Sequence, residues 1–224
     1  MKFSLILFLF FYQIHANSFS VILDAGHGGQ DKGTSYQNKI FESDLSLKIS
    51  KKIFDLLNSQ LAPFSQVYLS RVDDQFIPLH QRPEISQQKN VDLFVSIHFN
   101  SSHLNSMRGM EIYIPSSSLS SKSAYIIDQI TQDIQETGKI NQSLKFAHIL
   151  QDQWNLSKSS IRRAPFVVIE NNSTPSVLIE IGYLSHKEEG AWLVDPLNHD
   201  KIAEQIASSI ISYKESRDKN LPKQ

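Results

Sequence analysis

The sequence has no cysteine among its 224 residues. That absence excludes disulfides, iron-sulfur centres, a thiolate nucleophile and cysteine-bound zinc, so any metal has to sit on His, Asp or Glu. An excess of one charge is missing too: 22 basic against 23 acidic residues leave a formal net charge of -1. No nucleic acid is expected as a partner, because that binding needs a basic field. Internal repeats, a domain-separating linker and an appended binding module are also lacking. With 40% hydrophobic residues, the chain is long enough for one domain with a real core and short for two. A monomer is expected.

Long apolar runs are absent as well. The longest, from Phe3 to Tyr12 behind Lys2, is too short to span a bilayer comfortably. It reads as a signal peptide over residues 1–16, with cleavage after the small residue Ala16; a retained anchor is the alternative. With no Cys near that junction, a lipid-anchored lipoprotein is excluded. The mature protein is expected to act outside the cytoplasm.

After Ala16, short apolar runs bounded by Gly, Asn, Ser or Pro alternate with stretches of helical period, the pattern of an α/β domain. Strands are expected at Phe19 to Asp24, Val67 to Ser70, Asp92 to His98, Met110 to Ile114, Phe166 to Ile169 and Ser176 to Ile181, roughly six in all. Asp44 to Ser59 reads as an amphipathic helix with Ser43 as its N-cap. A last helix spans Asp200 to Tyr213, and the tail from Lys214 onward reads as frayed. One region stands apart. The chain is mostly Ser from Ser116 to Ser123, and Ala124 to Asp152 then reads as helix, broken near Gly138 and Asn141. It is longer than a simple crossover needs and is taken as a helical insertion over residues 115–160.

The groups that carry chemistry gather at strand ends. His27 lies in Asp24-Ala25-Gly26-His27-Gly28-Gly29 where the first strand stops, His98 closes Leu93 to His98, and Glu180 follows Ser176 to Ile179. Ligands and chemistry collect at the carboxyl edge of parallel α/β sheets. A phosphate loop fails as an explanation for the glycines: Gly28 and Gly33 have the Walker spacing, but Thr34 and Ser35 stand where Lys and Ser/Thr should follow. The dinucleotide pattern fails at Asp31, which occupies the third glycine position. Glycine here lets the backbone bend and leaves His27 accessible. Glu42 stands between this loop and the first helix. Two His and one carboxylate form a three-ligand zinc set with a fourth position for water. Taken singly, a helix-start Glu favoured by the macrodipole and a satisfied buried His explain the same residues.

The ordered segments VILDAGHGG, FESDLSLKIS, LSRVDDQF, LHQRPEIS, VDLFVSIHFNSS, RGMEIYI and TPSVLIEIGYLSHKEEGAWL resemble the zinc-dependent N-acetylmuramoyl-L-alanine amidases of the amidase 3 type. Nearly the whole mature chain is covered. The resemblance implies a mixed, about six-stranded sheet covered by helices on both faces, with residues 17–214 as catalytic domain and 215–224 as tail. It also implies one zinc ion on His27, Glu42 and His98, with Glu180 as the catalytic carboxylate taking a proton from water and passing it to the departing amine. The substrate it implies is peptidoglycan, cut between N-acetylmuramic acid and L-alanine in the periplasm. Asn100 matches the family's SIHxN pattern and is expected to orient substrate or His98. His186 departs from the family's usual Asn; capping the following helix is its expected use, and a solvated loop position is expected for His103.

The stretch Asp133 to Leu150 resembles a branch of Gram-negative cell-division amidases in which a helix covers the metal cleft until a protein activator withdraws it. On that reading Asp128, Asp133 or Glu136 approaches the zinc; the other reading is an ordinary surface helix with its acids in solvent. Two rival functions remain open at this point: a zinc carboxypeptidase acting on the stem peptide, and a non-catalytic peptidoglycan-binding regulator.

Overall fold

Phe19 to Ala25 is apolar at successive rather than alternate positions, which marks a strand covered on both faces. A computed structural model describes residues 18–61, 63, 65–116 and 126–219, the side chains of 126–132 excepted. The expected signal peptide, the Ser-rich stretch from 117 and the last residues of the tail lie outside the described residues.

The first half runs β1 (Phe19–Ala25), β2 (Ser35–Tyr36), β3 (Ile40–Phe41), α1 (Glu42–Leu61), β4 (Ser65–Leu69), α2 (Gln81–Lys89), β5 (Leu93–Asn100) and β6 (Met110–Ile114). The second half adds α3 (Ile126–Gln153), β7 (Ser159–Arg163), α4 (Val167–Glu170), β8 (Ser176–Tyr183), α5 (Lys187–Val194) and α6 (Pro196–Asp218). Six strands form one mixed sheet in the order β4-β1-β5-β8-β6-β7, and β2 pairs with β3 in a separate hairpin. β4, β1, β5 and β8 run parallel; β6 is antiparallel to β8, and β7 is parallel to β6. Helices cover both faces, as the α/β reading expects. On the first face Leu45, Ile49 and Ile53 of α1, Phe146 and Leu150 of α3 and Ile202, Ile206 and Ile210 of α6 close over Val21, Val95, Ile97 and Ile179. On the second face the short α4, with Val168 and Ile169, packs on Ile22, Phe94 and Leu178. Ile85 of α2 packs on the same face.

Several expectations need correction. Phe166 to Ile169 is not a strand: Val167–Glu170 makes one helical turn, N-capped at Phe166, and a four-residue apolar run carries too little period to tell the two apart. The sixth strand is instead β7, whose sequence SSIRR has one apolar residue. As an edge strand it pairs, among the described residues, with β6 alone, and charged side chains suit an edge that must not recruit further strands. Ser43 is not an N-cap, because the helix already begins at Glu42; Ser43 is buried in the first turn with its Oγ unpartnered. Finally, α3 is continuous through Gly138 and Asn141.

α3 also serves as the crossover between two strands. β6 and β7 are parallel neighbours, so the chain has to cross over between them, and a helix is the usual means. Phe146 stacks edge-on against Tyr213 of α6 with ring centroids 5.6 Å apart, tying that crossover into the main core. α6 starts earlier and ends later than expected. Asp195 caps it by accepting from Leu197 N, Pro196 occupies the first turn, and Arg217 reaches Asp92 at 2.8 Å, so residues up to Asp218 are helical rather than frayed.

Candidate metal centre

The site is built where β1 gives out. Gly26 N still donates to Ile97 O at 3.0 Å, the last backbone bond to β5, and the chain then turns back through Gly28 and Asp31, each donating its N–H to the other's carbonyl. His27 takes φ 58° at this corner. A non-glycine residue there is uncommon, and such strain concentrates at functional positions. The turn puts Asp31 Oδ1 2.8 Å from His27 Nδ1 and leaves Nε2 facing inward, 3.1 Å from Glu42 Oε1. His98, on β5, brings Nδ1 to 2.9 Å from the same Glu42 oxygen.

Glu42 is buried at the start of α1 and accepts from Phe99 N (3.0 Å) and Thr34 N (2.9 Å) as well. Burial alone would raise its carboxyl; the hydrogen bonds and charges of His27 and His98 overcome that and hold it well below the usual carboxylate range. For His27 burial pulls downward, and Glu42 and Asp31 win, leaving its pKa raised. Two glycines make the room: a Cβ at Gly26 would overlap the His98 ring, and one at Gly33 would strike Glu42 Oε2 and the His27 imidazole.

The donor set fits zinc. One atom each from His27, Glu42 and His98 lies within 4.8 Å of the others. Nitrogen and carboxylate donors at 2.0–2.1 Å around a tetrahedral ion stand about 3.3 Å apart, close to the 3.1 and 2.9 Å found here. Asp31 on the far nitrogen of His27 supplies the carboxylate–histidine pairing that orients metal-binding imidazoles.

Glu180 pairs in register with His98 on the adjacent strand β8. Its Oε2 is buried with no hydrogen-bond partner, and burial, outweighing the pull of His98, pushes its pKa up to about 7. A carboxyl at that value holds and releases a proton with equal ease at neutral pH.

Two arginines that the sequence reading passed over hold the loop in place. Arg82, 2% exposed, pairs with the buried Asp24 at 2.8 Å and donates to the Ala25 and His27 carbonyls. Arg71 donates to Ala25, Gly26 and Ser43 carbonyls. Both lie in the quoted segments LSRVDDQF and LHQRPEIS, the only signal that marked them.

The remaining expected residues fall elsewhere. Asn100 donates from Nδ2 to Glu111 Oε2 at 3.0 Å and so faces Glu111 rather than His98. His186 caps α5, its Nδ1 accepting from Glu189 N, and His103 is exposed, outside the cluster. Asp133 and Glu136 do not approach the centre. Glu136 pairs with Lys139 at 2.6 Å, Lys139 reaches the Glu170 carbonyl, and Ser143 accepts from Ser176 N at the start of β8. This part of α3 therefore lies at the edge of the sheet opposite Glu180. The Asp128 side chain is outside the described residues.

Two histidines and a carboxylate at the carboxyl edge of an α/β sheet, with a raised carboxyl in register beside them, form the geometry of a metal-assisted hydrolase. The chain belongs to the N-acetylmuramoyl-L-alanine amidase family (Amidase_3), which matches residues 21–212. It is 31% identical over 220 residues to the N-acetylmuramoyl-L-alanine amidase AmiA of Escherichia coli K12, covering 86% of this chain and 75% of that one. The catalytic domain of CwlV, the N-acetylmuramoyl-L-alanine amidase from Bacillus (Paenibacillus) polymyxa var. colistinus, superposes with a TM-score of 0.70 at 30% identity, covering 88% of this chain and 98% of that one. The CwlD amidase of Clostridioides difficile, solved in complex with the GerS lipoprotein, gives 0.65 at 28% identity, with coverage of 88% and 99%.

Proposed function

We propose that this protein hydrolyses the amide bond between N-acetylmuramic acid and L-alanine in peptidoglycan, using one zinc ion held by His27, Glu42 and His98. The observation that carries this reading is Glu180, in register with His98 and carrying an unpartnered buried oxygen beside the three converging donors. A bound zinc ion would polarise the amide carbonyl and bring the pKa of water down toward about 7. Glu180 Oε2 takes the proton from water as its oxygen adds to the lactyl carbonyl carbon, then returns it to the nitrogen as the C–N bond breaks. The products are a lactyl carboxylate and the free α-amine of L-alanine. Asp31 keeps His27 turned toward the metal position, and Arg82 and Arg71 keep the loop that carries it from relaxing.

Export by the apolar segment after Lys2 and work in the periplasm, in wall remodelling or daughter-cell separation, belong to the same proposal. Among the described residues no helix is long and apolar enough to cross a membrane. The CwlD relative in complex with a lipoprotein supports a protein partner for this chain too. Digestion of intact sacculi followed by mass spectrometry tests the reaction. The expected products are whole stem peptides beginning at a free L-alanine; loss of a terminal D-amino acid alone would make the protein a stem-peptide carboxypeptidase.

A further inference from the structure

Glu180 has a second neighbour. Across the antiparallel pairing of β6 with β8 it faces Glu111. Tyr113 and Leu178, each two residues away, pack into the second-face core. Side chains two apart share a face, so His98, Glu180 and Glu111 form a row across three strands on that face. Glu111 is 6% exposed and accepts from Asn100 Nδ2, from the Tyr113 hydroxyl at 2.7 Å and from Arg162 Nη2 at 2.8 Å. Arg162 comes from the edge strand β7 and is 52% exposed. Charge on an edge strand is expected on any account, and the exposed Arg163 supplies it. Arg162 differs because its guanidinium is folded back onto Glu111 while about half of its side chain stays exposed.

The direction of the row matters. On the reaction proposed above, the metal position holds the carbonyl and Glu180 meets the leaving nitrogen. The stem peptide therefore departs on the side of Glu180 away from His98, over Glu111. Strands are spaced about 4.8 Å apart, so β6 lies one spacing beyond Glu180 and β7 two. A chain extending from the L-alanine nitrogen reaches its second residue within about 7 Å. In peptidoglycan that residue is a D-glutamate linked onward through its side chain, which leaves its α-carboxylate free.

We propose that Arg162, held in place by Glu111, is the subsite for this α-carboxylate and sets a preference for stem peptides in which it is free rather than amidated. A guanidinium fork suits a planar carboxylate and gains far less from a carboxamide. The proposal rests on the amidase reading, and the test separates the two. Two soluble glycan–peptide substrates that differ only at the second residue, α-carboxylate or α-carboxamide, are cleaved with the zinc-loaded protein. The wild type is expected to favour the carboxylate about tenfold in kcat/KM. Arg162→Gln should reduce that ratio to about two or less, losing more rate on the carboxylate substrate than on the carboxamide, and Arg162→Lys should keep a preference of several-fold. A role for Arg162 confined to neutralising Glu111 would move both substrates together. Equal cleavage of the two substrates by the wild type, or an undiminished preference in Arg162→Gln, overturns the subsite and leaves the amidase reading standing. Cleavage of neither at the lactyl amide overturns both.

Discussion

Replacing Glu180 with Ala lowers kcat by roughly a thousandfold while the protein keeps its zinc. The carboxylate touches neither His27 nor Glu42 through any hydrogen bond, and its Oε2 has no partner to lose. Removing it should therefore leave the three donors as they are. What disappears is the carboxylate in register with His98 that, on the proposed reaction, accepts a proton from water and returns it to the leaving nitrogen. Steady-state kinetics on soluble glycan–peptide fragments, paired with metal analysis of the same preparation, checks this. Turnover within about tenfold of wild type would remove Glu180 from the chemistry, and parallel loss of zinc would make it part of the metal site.

Arg82→Met destabilises the fold by about 3–5 kcal/mol. Arg82 and Asp24 are 2% and 0% exposed, and Ser96 Oγ is the only other side chain that donates to Asp24 among the described residues. Met fills the space but leaves Asp24 charged, dry and unpaired, which costs far more than the pair itself contributes. Urea denaturation followed by circular dichroism should show a lower midpoint with an unchanged slope. The double variant Asp24→Asn, Arg82→Met should recover most of the loss, since the stranded charge is gone. A single-variant loss below about 1 kcal/mol, the scale of an exposed pair, would contradict the assignment. Because Arg82 also donates to the His27 carbonyl, the single variant should bind zinc more weakly even where it is folded.

How much of this was legible in the sequence depended on the range of the signal. His27, His98 and Glu180 each close an apolar run, so local pattern together with the edge rule for parallel sheets brought them to one place before any coordinates. Glu42 needed the family resemblance, since a helix-start carboxylate looks the same whether it binds metal or a dipole; only the fold shows it buried between two imidazoles. β7 escaped notice because an edge strand with one partner has no need of apolar alternation. α4 was misread because Val, Val and Ile favour strands, while the turn they form is decided by the sheet face they cover. Asp31, Arg82 and Glu111 were missed for a different reason. Their roles depend on a positive-φ corner or on inter-strand register, as with Glu111 opposite Glu180, and neither leaves a periodic trace. The length of α3 shows in the sequence, but its use as a crossover does not, because that depends on β6 and β7 running parallel.

The most direct test of the metal centre is calorimetric titration of zinc into chelator-stripped wild type and His98→Ala, with amidase activity measured at each point. A single ion per wild-type chain is predicted, with activity returning in proportion to zinc bound, while His98→Ala takes up zinc only weakly and stays inactive. Full hydrolysis of the lactyl amide by metal-free wild type, or wild-type zinc affinity in His98→Ala, would contradict the account.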